Sequence, residues 1–131
     1  MKPSIHPGTH SRKEAAVSFL RLASSGKVRE AYDAYVSPNF RHHNPFFRGD
    51  RDSLMAAMEE NAAESPGKVL EVKHALEDGD LVAVHSHVQQ NPGDPGAAVV
   101  HIFRFEGDRV VELWDIGQPV PKDSPNENGM L

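Results

Sequence analysis

The stretch VVHIFRFEGDRVVELWDIGQ, residues 99–118, decides the fold. Apolar and polar residues alternate along both arms, Gly107-Asp108 supplies a turn, and the β-branched and aromatic content suits half-buried strands. Side chains select the register of the resulting hairpin. Setting Arg104 against Glu112 makes an opposite-charge pair on one face, and places Phe105 against Val111 and Phe103 against Leu113 on the other, around a three-residue turn at Asp108. The same register sets His101 opposite Asp115. An ionisable pair therefore stands where the pattern calls for core.

In all, residues 68–77, 81–90, 97–105 and 110–118 read as four strands, the last two being the arms of this hairpin. Asp78-Gly79 and the loop NPGDPG at 91–96 join the first three as hairpins. Centring the second loop on Gly93 opposes His85 to His101 and His87 to Val99. His85, His101 and Asp115 then form a row across three strands, with His74 alternating onto the same inner face.

The first half of the chain is helical. Residues 1–10, with two prolines and a glycine, read as a loose arm in which His6 and His10 are solvated. Ser11 and Glu14 have capping-box spacing, and Ala16, Phe19, Leu20 and Ala23 follow on one helical stripe that Gly26 stops. A short second helix carries Val28, Ala31, Tyr32 and Tyr35, and Ser37-Pro38 ends it. Residues 40–49, FRHHNPFFRG, read as an irregular loop over the mouth of a cavity, with Phe46 and Phe47 as its apolar plug. Asp50 or Asp52 caps a third helix bearing Leu54, Ala57 and Met58, which ends near Pro66-Gly67. Three helices followed by an antiparallel meander give an α+β order, and an apolar pocket is expected between them.

Composition bounds the function. A chain of 131 residues fits a single domain, with 1–10 as arm and 122–131 as C-terminal tail. The formal net charge of −5 and the lack of a basic run argue against a nucleic-acid surface. No stretch is apolar and long enough to span a bilayer, no apolar leader opens the chain, and there is no cysteine for disulfides or thiol chemistry. The expectation is a cytoplasmic protein whose partner is a small apolar or carbonyl-containing molecule.

The segments HisHisAsnPro at 42–45, GDLVAVHSHV at 79–88, AVVHIFR at 98–104 and VELWDIGQPVP at 111–121, with the tail NENGML, resemble the SnoaL-like polyketide cyclase family of the nuclear transport factor 2-like superfamily, in its predicted aldol-condensation branch. The resemblance runs from the first helix to the C-terminus. It implies a cone-shaped barrel in which a curved, mainly antiparallel sheet wraps N-terminal helices, a homodimer, and chemistry without metal or organic cofactor. It also implies that Asp115 is the acid/base with His101 hydrogen-bonded to it, and that Asn44 and His85 face the pocket. Leu113 stands where those cyclases carry a polar group, which argues against their large polycyclic substrate.

These residue types suit aldol closure, which needs a base for a proton α to a carbonyl, a donor for the enolate oxygen and a proton for the new alkoxide. Asp115, His101 and His85 form the expected catalytic set, and His43, Asn44, His87, Phe46, Phe103 and Tyr32 the ligand-contacting set. A dehydratase or isomerase on the same scaffold would use the same row, and a non-catalytic small-ligand module would keep only the pocket. A metal reading rests on Gly79 followed by His85-Ser86-His87, which opens like a cupin motif. It then lacks the expected glutamate near Asn91 and the second motif. The bland readings are a strand-end Asp115 hydrogen-bonded by a nearby backbone N–H or by Trp114, a satisfied core His101, and Asn44-Pro45 as a plain turn.

Overall fold

Ser11 opens the first helix as its spacing predicts. Its side chain accepts from the Glu14 N–H at 3.1 Å while the Glu14 carboxylate accepts from the Ser11 N–H at 3.1 Å, reciprocal caps of the kind worth about 1 kcal/mol. The computed structural model describes residues 11–131, so the expected arm with His6 and His10 lies outside the described residues. Helix α1 (Arg12–Ser24) buries Ala15, Ala16, Phe19, Leu20 and Ala23. Gly26, at φ 92°, takes the left-handed turn into α2 (Val28–Tyr35), which buries Val28, Ala31 and Tyr32. Helix α3 (Arg51–Glu64) is capped by Asp50, whose carboxylate accepts from the Ser53 N–H at 3.0 Å, and it buries Leu54 and Met55.

Five strands follow the order β1-β5-β4-β3-β2: β1 (Val36–His42), β2 (Val69–Asp78), β3 (Leu81–Gln89), β4 (Ala97–Glu106) and β5 (Arg109–Pro119). All neighbours are antiparallel except β1, which runs parallel to β5 at the edge. The fold is α+β. The curved sheet wraps one face around the three helices, and Phe19, Tyr32, Phe40, Val82, Val84, Phe103, Phe105 and Leu113 join in one core.

Three sequence expectations are corrected here. The first is β1, where the sequence predicts a helix end at Ser37-Pro38 and an irregular loop over residues 40–49. Val36, Phe40 and His42 alternate inward, and an edge strand tolerates Pro38 because one side of it needs no ladder donors. The second is the hairpin turn. Glu106 pairs with Arg109 across a two-residue Gly107-Asp108 turn, Phe105 pairs with Val110, and Val111 is a bulge with no partner. Beyond it the expected register holds, with Arg104 opposite Glu112 and His101 opposite Asp115.

The third correction changes the site. Val84, not His85, lies opposite His101, while His85 pairs with Val100 and His87 with Ala98. A slip of one residue turns every side chain to the other face. The cause is the 91–96 loop. Gly96 sits at φ 79°, close beneath the Val88 carbonyl, where a Cβ would lie 2.4 Å from that oxygen. With Gln89 Nε2 donating to the Asp94 carbonyl at 2.7 Å, β4 begins at Ala97 opposite Val88. The expected row of His85, His101 and Asp115 does not form.

Candidate active site

Asp115 and His101 stand side by side on the helix-facing side of β5 and β4. They line a cavity of about 290 Å³ together with Phe19, Asn44, Phe47, Leu54, Met58 and Leu113. A second chamber of about 190 Å³, walled by Leu20, Ala23, Leu70, Val88 and Val99, adjoins it across the shared residues Met58, Lys68 and His101. Apart from Lys68, His101 and Asp115, the two linings hold no titratable side chain.

Among the described residues one hydrogen bond holds the Asp115 carboxylate: Asn44 Nδ2 donates to Oδ2 at 3.0 Å. Asn44 is itself fixed by a chain that begins in β1. The Nε2 of His42 lies 2.6 Å from the Arg48 carbonyl, which can only accept, so Nε2 carries the proton. Nδ1 is then bare and accepts the Asn44 N–H at 3.0 Å. Asn44 Oδ1 accepts the Phe46 N–H at 2.9 Å, which leaves its amide donors aimed at Asp115. Sequence reasoning singled out Asn44 but missed the buried His42 that holds it. The alternation of Val36, Phe40 and His42 was the available signal.

Burial pushes the His101 imidazole down to about 4, against the upward pull of Asp115 and with Lys68 adding to the depression. It is therefore neutral at physiological pH. Its Nδ1 is buried without a hydrogen-bond partner among the described residues, and no hydrogen bond joins it to Asp115 there. The pair expected to touch is thus adjacent in the sheet but unbonded, and Asn44 takes the place at the carboxylate that the resemblance gave to His101.

The remaining sequence candidates separate by face. His85 lies outside, its ring stacked on His74 with the two Nδ1 atoms 3.0 Å apart, so neither enters the cavity. His87 shares that face and bonds the Pro95 carbonyl at 2.8 Å through Nε2. His43 also points away: it bonds Glu112 Oε2 at 2.6 Å and stacks on Trp114, ring centres 4.9 Å apart. Phe46 is 83% exposed, and the neighbouring Phe47 lines the cavity instead. Phe103 and Tyr32 are core residues behind the wall, Tyr32 donating to Met58 Sδ at 3.1 Å and Phe103 packing edge-on to Phe19. The histidines that a metal reading would need, His85 and His87 on one face and His101 on the other, do not converge.

Glu112 anchors the opposite face. Buried on the outer side of β5, it accepts from Arg41 at 3.0 Å, Arg104 at 3.0 Å and His43 at 2.6 Å. The hydrogen bonds from Arg41, then His43, hold its carboxyl down at about 2. The charge pair expected with Arg104 is thus part of a four-residue cluster that ties β1 to β5 and β4.

Lys68, Asn61 and Gln90 complete the cavity, and none was singled out from sequence. The period of two running Lys68, Leu70, Val72 did place Lys68 on the inner face.

The profile of the SnoaL-like domain family matches residues 15–113, ending two positions before Asp115. Three solved structures show the same fold. An uncharacterised cystatin-fold protein from Novosphingobium aromaticivorans is 23% identical with a TM-score of 0.70, over 82% of this chain and 99% of that one. IdmH, a candidate polyketide cyclase from Streptomyces antibioticus, is 18% identical with a TM-score of 0.68, over 83% and 93%. A SnoaL-like protein of unknown function from Burkholderia thailandensis is 17% identical with a TM-score of 0.69, over 86% and 99%. No curated protein matches the chain by sequence. Among the described residues, no helix is long and apolar enough to cross a membrane.

Proposed function

The chain belongs to the SnoaL-like domain family, and from that premise we propose that it is a small-molecule enzyme working by acid/base chemistry, of the aldol-condensation or cyclase type, in the cavity between sheet and helices. The observation that carries this is an oriented carboxylate in an apolar wall. Asp115 Oδ2 is engaged by Asn44, so Oδ1 is the oxygen that accepts a proton from a carbon α to a carbonyl. Neutral His101, on the neighbouring strand, offers an N–H to the enolate oxygen as charge develops there. Protonated Asp115 then returns its proton to the new alkoxide or carbon. This scheme invokes neither metal nor organic cofactor.

The test is α-proton exchange. Purified protein is incubated in D2O with 3-benzoylpropionate and with its uncharged carboxamide, and loss of the α-proton signal is followed by NMR. Asp115→Asn is expected to slow exchange by about a hundredfold or more, the range of a lost general base. An Asn variant as fast as the parent overturns the reading. Binding of either probe with no exchange above buffer identifies a carrier of small ligands instead.

The outer sheet face supports a homodimer. Leu76, Leu81 and Ile116 are exposed there, all on the side away from the cavity. Light scattering on Ile116→Lys is expected to give half the mass of the parent, and an unchanged mass removes that face from consideration.

A further inference from the structure

Lys68 has no part in the proton transfer described above. It lies just before β2 and lines both chambers. Its Nζ donates to Asn61 Oδ1 at 2.6 Å, and Asn61 Nδ2 donates in turn to Gln90 Oε1 at 3.0 Å, so the ammonium is held in a fixed direction. No carboxylate forms an ion pair with it among the described residues. An ammonium has three donors, and among the described residues one is used. Burial also lowers its pKa, the mark of a cation short of compensation.

A partly buried cation in an apolar cavity is stabilised most by an anion that enters with it. Asp115 lines the same cavity, but among the described residues no ion pair joins it to Lys68, and its carboxylate accepts from Asn44 instead. Both groups line the cavity with His101 and act on it in opposite senses, Asp115 raising its pKa and Lys68 lowering it. The cavity is therefore polarised, with a cation toward α3 and β2 and a base toward β5. A single lysine with two spare donors matches a carboxylate better than a phosphate dianion, which calls for more donors or a helix N-terminus.

We propose that Lys68 is the anchor for a carboxylate on the ligand, which makes the substrate class small oxo acids, held by the acid group at Lys68 with the enolisable carbon at Asp115. This rests on the acid/base reading of the same cavity. Asn61 and Gln90 are positioning residues that aim the ammonium.

The test compares binding of 3-benzoylpropionate and its carboxamide by amide-resolved NMR titration, on the parent, Lys68→Met, Lys68→Arg and Asp115→Asn, each checked for a native amide spectrum. The parent is expected to bind the acid about tenfold or more tightly than the amide, a difference of about 1.4 kcal/mol. Lys68→Met brings that ratio to about one, and Lys68→Arg retains most of it. Asp115→Asn keeps the preference while slowing exchange about a hundredfold or more. Equal binding of acid and amide by the parent, no binding of either, or an unchanged ratio in Lys68→Met overturns the anchor. Exchange that persists without an acid preference leaves the catalytic reading standing and removes only Lys68, whereas an acid preference without exchange does the reverse.

Discussion

At the scale of single residues, the cavity depends on two adjacent side chains that face opposite ways. His42 turns inward to hold Asn44, and His43 turns outward to Glu112. Asn44→Ala removes the described hydrogen bond to Asp115 and is expected to lower the exchange rate about tenfold, with little change in stability because Asn44 is only partly buried. His85→Ala, by contrast, is expected to leave exchange at the parent rate, since that ring lies across the sheet from the cavity. Parallel rate measurements on the two variants check the assignment of faces. His101 provides a pH signature. Its folded pKa of about 4 lies below the ordinary 6.5, so the unfolded chain binds the extra proton and stability falls as pH drops from 6.5 towards 4. Replacing His101 with Gln is expected to flatten that part of a urea-midpoint profile against pH.

At the scale of elements, the loop at 91–96 decides which histidines meet the base. Gly96→Ala must take φ 79° and bring a Cβ against the Val88 carbonyl, so a loss of about 2 kcal/mol or more is expected in urea unfolding. How much could be read in advance follows from the same physics. Helices α1 and α3 declared themselves through stripes and caps and α2 through its stripe, and the charge pair Arg104–Glu112 fixed the β4–β5 register through a local hairpin. The β3–β4 register was not legible, because parity across a six-residue loop hangs on one left-handed glycine rather than on side-chain matching. Strand β1 hid behind Pro38, and its parallel pairing with β5 joins residues too far apart in sequence for any local pattern to signal. Asp115, His101 and Asn44 came through as cavity residues; the histidine row did not.

At the scale of the whole molecule, the two faces of the sheet titrate in different ranges. Glu112 on the outer face has its carboxyl lowered from 4.5 to about 2, so its contribution is complete above 4.5 and is lost as pH falls towards 2. The stability of the parent is therefore expected to fall in two stages on acidification, first with His101 and then with Glu112, and Glu112→Gln should remove the second when unfolding is followed by circular dichroism. One feature ties the faces together. Val111 has no partner in the ladder, and were it paired, the register from Phe105 and Val110 would run on to set Trp114 opposite His101 and turn Asp115 outward. In the language of heredity, the Val110-Val111 doublet is a spare codon. A lineage that loses one valine there straightens the strand and keeps every downstream side chain on its present face, so length can drift at that point while the carboxylate stays indoors.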